Sequence, residues 1–266
     1  METLKSDLAS RIPVLKKRLR RLLGEGGGKK AAEISDVILP QLSKVGHLAL
    51  IGGAVRDVAR CGVRRFKSDL DFVLYEGNAQ AFRTLMQDLS ARPNRFGGYS
   101  IRYPQWRVDI WALEETWAHT AGLRQVDRLE DLLDCTFFDW DAIVFDLRTS
   151  RIIMKPDYFQ ALASNIMDIN LESNPNPTGA LVRALRRGYL WRTRFGKKLT
   201  TFVKRQLTAT PWETLVALDD SAFASPVLRF LDPKQIQVRM AQDIPSYNMM
   251  VTEPFGDPPC QGCLPL

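Results

Sequence analysis

Asp69 and Asp71 flank a single leucine in "SDLDFVLY", a run whose alternation of apolar residues predicts a β-strand. Side chains alternate along a strand, so the two carboxylates share one face with Cα atoms about 7 Å apart and can converge on one divalent cation. Leu70, Phe72 and Leu74 line the opposite, inward face. By the same rule "WRVDIWAL" sets Arg107 and Asp109 on one face, and as a neighbouring strand it would offer a third carboxylate. Three carboxylates on adjacent strands suit a one- or two-Mg²⁺ site for in-line displacement at phosphorus. A bare Asp-x-Asp is also common as solvated charge on an amphipathic strand. What precedes it tips the balance: the apolar run "HLALI" ends in Gly52-Gly53, and "AVRDVARCG" then reads as a helix. Paired glycines there let backbone N–H groups approach a phosphate without interference from Cβ, at the favourable end of a helix dipole.

The elements that must position these groups follow from periodicity. Leu4, Leu8, Ile12, Leu15, Leu19 and Leu22 recur at helical spacing with "KKRLRR" among them, which predicts a basic amphipathic helix that Pro13 breaks or restarts. "GEGGGKK" reads as a flexible linker closing this arm near residue 30. A helix is expected from Ala31 to Leu42, another over "NAQAFRTLMQDLSA" behind an Asn cap, strands over "YSIRY" and "WRVDIWAL", and a hairpin from "DAIVFDL" through Arg148, Thr149 and Ser150 into "RIIMK". Beyond Pro156 the strand signals stop, and "DYFQALASNIM", "TGALVRALRRGYLWRTRF" and "PWETLVALDD" read as helices. The fold class is therefore α+β. The expected organisation is a basic arm at 1–30, an α+β catalytic domain at 31–155, a helical domain at 156–245 and a Pro/Gly-rich tail at 246–266.

"GGAVRD" followed by "SDLDFVLY" resembles the head of the class II tRNA nucleotidyltransferase (CCA-adding enzyme) and bacterial poly(A) polymerase family, within the nucleotidyltransferase superfamily. "RVDIWALEE", "RLEDLLD", "DAIVFDLRTSRIIMKP" and "ALVRALRR" are similar to later family segments, so the likeness spans roughly residues 46 to 195. The resemblance implies a polymerase-β-like mixed sheet followed by a helical neck and body. It implies Gly52 and Gly53 for triphosphate contact, Arg56 and Asp57 for shaping the phosphate loop, Asp69 and Asp71 for Mg²⁺, and Asp109 as a supporting carboxylate. Arg183 and Arg186 fall where neck arginines meet the nucleotide or the RNA; a solvated basic helix face is the bland reading of both. Two departures leave the choice of nucleotide open. The family's Arg-Arg-Asp-Phe-Thr-Ile-Asn motif should lie where this chain reads "DCTFFDWD", with Asp141 standing for its end, and Ala180 replaces the arginine of the neck's Asp-Pro-x-Arg.

The net charge of +7 over 266 residues lies in two blocks, residues 1–30 and the span from Ser173 to Trp212, with a net acidic remainder. This favours a polyanionic partner, and RNA is preferred over a membrane surface or the protein body for the first block. No apolar run approaches a membrane span, and four cysteines do not form a secreted disulfide framework, so a cytoplasmic protein is expected. Cys260 and Cys263 lack the further ligands of a zinc site, and the tail is expected to order only on a protein partner. Trp106, Trp111, Trp117 and Trp140 are read as core residues before base-stacking ones. The leading expectation is a Mg²⁺-dependent nucleotidyltransferase moving NMP from an NTP, ATP or CTP, to an RNA 3′ end such as tRNA. The alternatives are a stand-alone transferase of a toxin or defence system acting on tRNA or protein, and a catalytically silent RNA- or protein-binding descendant.

Overall fold

The computed structural model describes residues 8–25, 28–66 and 68–241. The chain divides into two compact units, one of residues 1–136 and 140–163, the other of 137–139 and 164–266. The division thus falls after residue 163, not at the expected 155/156. The reason is α7 (Tyr158–Ser164), whose Tyr158 and Leu162 are buried and whose Tyr158 hydroxyl donates to the Trp140 carbonyl at 2.8 Å. The expected tail and its two cysteines lie outside the described residues.

The first unit is built on a seven-stranded mixed sheet in the order β3-β4-β5-β2-β1-β6-β7. Its strands are β1 (His47–Ile51), β2 (Leu70–Tyr75), β3 (Arg92–Pro93), β4 (Tyr99–Arg102), β5 (Arg107–Ala112), β6 (Ile143–Asp146) and β7 (Arg151–Met154). Only the β2–β5 pair is parallel. Two predicted features recur closely: Asn78 caps α5 (Ala79–Asp88) by accepting from Ala81 N at 2.8 Å, and Ser150 takes the left-handed conformation (φ 53°) in the β6–β7 turn.

Leu70, Phe72 and Leu74 are buried as expected, and α4 (Gly53–Cys61) packs on β1, β2 and β6. The opposite face of β2 is not all solvated. Val73 and Tyr75 are buried with Leu113, Val126, Leu129 and Leu132. Residues 113–132 thus close this face at one end and leave it open at the Asp69–Asp71 end.

The basic N-terminal helix is α1 (Ile12–Leu22), and it belongs to this unit. Leu15, Leu19 and Leu22 are buried while Lys17, Arg20 and Arg21 are exposed, so its apolar stripe has a partner in α4. Arg18 Nη1 donates to the carbonyls of Val58 (3.3 Å) and Ala59 (3.4 Å) in the last turn of α4, adding to the bonds these accept from Gly62 N (3.1 Å) and Ala9 N (2.7 Å). The expected separate arm is therefore corrected: Leu15, Leu19 and Leu22, at three- and four-residue spacing, are a docking face. Leu19→Ala should cost about 2–5 kcal/mol in urea unfolding. A loss below about 1 kcal/mol would mean that α1 does not share this core.

A continuous helical run follows, α2 (Lys29–Glu33), a π-turn (Ile34–Ile38) and α3 (Leu39–Leu42), matching the helix expected from Ala31 to Leu42. A four-residue helix, α6 (Trp117–Thr120), follows β5.

The second unit contains α8 (Pro177–Trp191), α9 (Lys197–Ala209), α10 (Trp212–Ala222) and α11 (Pro233–Ala241). It also holds a short parallel pair, β8 (Ile166–Met167) with β9 (Arg194–Phe195), that helical periodicity gave no reason to expect. Asp168 caps α9, its Oδ1 accepting from Leu199 N at 2.7 Å. Gly196 makes this possible, because a Cβ there would lie 2.3 Å from the Asp168 Cγ.

Candidate active site

Strand register assembles the carboxylates. Parallel pairing sets Asp71 on β2 opposite Asp109 on β5, and antiparallel pairing sets Asp109 opposite Ser100 on β4. Cross-strand partners share a face, so Asp71, Asp109 and Ser100 form one row across three strands. One step toward the strand ends lies a second row, Asp69, Arg107 and Arg102, with Arg102 and Arg107 paired. Ser100 Oγ donates to Asp109 Oδ1 and fixes that carboxylate. The exposed Arg107 approaches Asp69 Oδ2 at 3.9 Å and Asp109 Oδ2 at 3.8 Å.

The glycine turn reaches the same strand end from β1. Gly52 has φ 68° and ψ −123°, a conformation reserved in practice for glycine, and its N–H donates to the Ile143 carbonyl at 3.0 Å. Gly53 opens α4 beside the carboxylates: a Cβ built there would lie 4.0 Å from Asp71 Oδ2 and 3.6 Å from Arg56 Nη2. The turn and the acids therefore adjoin, as the sequence led us to expect.

Arg56 and Asp57 sit beneath the turn. Both are buried, Arg56 Nε donates to Asp57 Oδ1 at 2.8 Å, and Arg56 Nη1 donates to Asp141 Oδ1. Ser68 Oγ donates to the other Asp57 oxygen. Burial, the largest influence, works against the Arg56 charge, but Asp141 and then Asp57 outweigh it and raise its pKa. Arg56 thus ties β1–α4 to the segment that enters β6.

The acids crowd one another. Burial pushes the Asp71 carboxyl up to about 8, and the charges of Asp109, Asp69 and Asp141 add to the rise against Arg56. Asp69 is raised as well, by burial first and then by Asp109, while Arg107 opposes. Both shifts favour the protonated acids in the absence of a bound cation. Among the described residues no group of three or more His, Cys, Asp or Glu side chains converges as a metal cage.

No family model matches the sequence, and no curated protein matches it. Solved structures do match in fold. A CCA-adding enzyme in an apo form aligns with a TM-score of 0.53 at 18% identity, covering 84% of this chain and 54% of that one. A complex of a CCA-adding enzyme with ATP aligns with a TM-score of 0.52 at 18% identity, covering 84% and 54%. The chain has the fold of these enzymes over the matched share. It spans about half the length of the solved structures it matches.

Arg183 and Arg186 lie on α8, in the second unit. Arg183 is half-buried. Arg186 is buried, donates to Asp219 Oδ1 at 2.5 Å and to the Ser225 carbonyl at 3.1 Å, and covers the Phe223 ring at 3.8 Å. Those contacts bind α8 to α10 and commit the guanidinium to the helical core, a task that dense basic sequence does not reveal. Trp140 is fully buried, and Trp106 is buried with its Nε1 donating to the Lys30 carbonyl at 2.8 Å, so both fill the core. No helix among the described residues is long and apolar enough to cross a membrane.

Three site residues take no role from the sequence alone. Asp141, which the resemblance gives only as the end of a motif, is a partner of Arg56. Ser100 and Arg102 share a face in "YSIRY", and pairing that strand with "WRVDI" across the intervening turn would have found them.

Proposed function

We propose that the chain is a Mg²⁺-dependent nucleotidyltransferase that moves NMP from an NTP, ATP or CTP, to a hydroxyl at an RNA 3′ end, with tRNA as the favoured acceptor, and releases pyrophosphate. The carrying observation is the register that sets Asp71 opposite Asp109 while Gly53 opens beside Asp71.

The donor set fits Mg²⁺. It consists of carboxylate oxygens that the β2–β5 register brings together, and this ion needs only one or two carboxylates when substrate phosphates complete the shell. Asp69 and Asp71 would hold it, with Asp109 beside them. When bound, the ion supplies charge neutralisation on the triphosphate and a Lewis acid for the attacking oxygen.

The chain's own groups supply the rest. Backbone N–H groups of the first turn of α4, which Gly53 opens, bind the triphosphate and hold its leaving group in place, while the Gly52 N–H stays on the Ile143 carbonyl. Asp109, fixed by Ser100, orients the acceptor hydroxyl and takes its proton. The hydroxyl oxygen bonds to the α-phosphorus as the bond from that phosphorus to the bridging oxygen of pyrophosphate breaks. Arg56 supports this by fixing the turn through Asp141.

Incubation with α-labelled NTPs, Mg²⁺ and total RNA tests the proposal. Label should appear on RNA and vanish in Asp69→Ala with Asp71→Ala. Absence of label from both RNA and protein, with no Mg²⁺-dependent NTP binding, would overturn it. Label on protein instead would select the alternative, a stand-alone transferase of a toxin or defence system.

A further inference from the structure

We propose that Arg102 and Arg107 form a phosphate clamp on the acceptor side of the site, so that the acceptor is an RNA strand end held by its own phosphodiesters. This rests on the nucleotidyltransferase reading and names the acceptor's chemistry. Arg102 and Arg107 are register partners on β4 and β5, two like charges directly opposed across a strand pair. Such pairs are destabilising unless an anion balances them. The anions present balance only part of this charge. Arg107 meets Asp69 and Asp109 at 3.9 and 3.8 Å, beyond hydrogen-bond length, while more than half of its side chain is exposed. Arg102 is exposed too, and its charge also acts on Asp69.

The hairpin tip that carries the pair is anchored. Tyr103 N donates to the Trp106 carbonyl at 2.8 Å and closes the turn. Tyr103 Oη donates to Gln41 at 2.9 Å, Gln105 N to Glu33 at 2.9 Å and Trp106 Nε1 to the Lys30 carbonyl at 2.8 Å. A base held at three points on the α2–α3 run presents its charges with little ordering cost.

Position decides which phosphates are met. In the sheet order β4-β5-β2-β1, the glycine turn lies on one side of the β2 acids and the arginine pair on the other. Strands about 4.8 Å apart put β5 about 10 Å and β4 about 14 Å from β1. An in-line displacement sets the attacking and leaving oxygens on opposite sides of the phosphorus. With the leaving pyrophosphate at the glycines, the acceptor must enter over β5 and β4. A strand end brings phosphodiesters next to its terminal hydroxyl, and the arginine fork matches their geometry. A serine or tyrosine acceptor on a protein carries no such charge at a fixed spacing.

The test measures binding of a short 5′-labelled single-stranded RNA to the full chain by fluorescence anisotropy across a salt series. Arg102→Gln and Arg107→Gln should each raise Kd about tenfold and lower the salt slope by about 0.7. Arg102→Lys with Arg107→Lys, which keeps both charges, should retain most of the slope and shows whether the hairpin tolerates substitution. Unchanged Kd and slope in the Gln variants would overturn the clamp. A rise confined to the NTP's KM would overturn it as well, placing the arginines on the nucleotide. Absence of NTP transfer in the wild type would count against the transferase reading alone, because the RNA-binding measurement does not depend on turnover.

Discussion

Asp71→Asn is expected to abolish nucleotidyl transfer, by about 10³-fold or more, while leaving the melting temperature at pH 8 unchanged or higher. The two halves have one cause. Asp71 is held by burial, and by the charges of Asp109, Asp69 and Asp141, at a pKa of about 8 against an ordinary 3.8. Between those values the folded state keeps a proton that the unfolded chain releases. Stability therefore falls as pH rises through that window, and the full cost is present above about pH 8. Asn fills nearly the same volume and removes the charge, so the fold loses a repulsion while the site loses a carboxylate proposed to hold Mg²⁺. Mg²⁺ should separate these effects: it should raise the wild-type melting temperature more at pH 8 than at pH 5, and should do little for Asp71→Asn. A variant that keeps transfer, or that melts well below the wild type at pH 8, would show that Asp71 is an ordinary structural carboxylate.

The same residue marks where sequence reading succeeds and where it stops. Alternation alone put Asp69 and Asp71 on one face and Leu70, Phe72 and Leu74 on the other, because strand geometry is local. It could not foresee that Val73 and Tyr75 would be covered on the acid-bearing face, since Val126, Leu129 and Leu132 lie more than 50 residues further along the chain and are brought there by tertiary packing. Asn78 was legible as a cap because its partner is three residues away. Asp141 was not legible as the partner of Arg56, since 85 residues separate them and the β1–β6 pairing brings them together. The basic helix shows a different limit. Its charge suggested RNA, but Leu15 and Leu19 could equally face a protein partner, and α4 is that partner. Composition reports what a surface could attract, and only packing reports which face is a surface. Arg186 repeats the point inside α8, where one basic run contains a guanidinium buried on Asp219.

Arg56→Ala should be among the most destabilising single substitutions in the first unit, costing about 3–5 kcal/mol. The guanidinium lies between Asp57, which is 1% exposed, and Asp141, whose side chain is 18% exposed. Removing it takes from Asp57 and Asp141 the guanidinium that joins them, and the buried Asp57 keeps Ser68 and the charge of Arg60 but cannot recover its loss from water. A typical domain has about 5–15 kcal/mol in all, so the variant should sit close to its unfolding transition at room temperature. Denaturant melts can separate the ion pair from lost packing. Arg56→Leu with Asp57→Leu should recover part of the loss, since it removes a stranded charge together with its partner. Transfer should still be lost in the double variant. Arg56 Nη2 lies 3.6 Å from where a Gly53 Cβ would stand, and through Asp141 it fixes the turn proposed to hold the triphosphate. A double variant no more stable than Arg56→Ala would locate the loss in packing of the guanidinium stem and not in the charge of the two acids. A single variant losing less than about 1 kcal/mol would show that Asp57 and Asp141 find other partners, and the turn would then owe its shape to the Gly52 backbone alone.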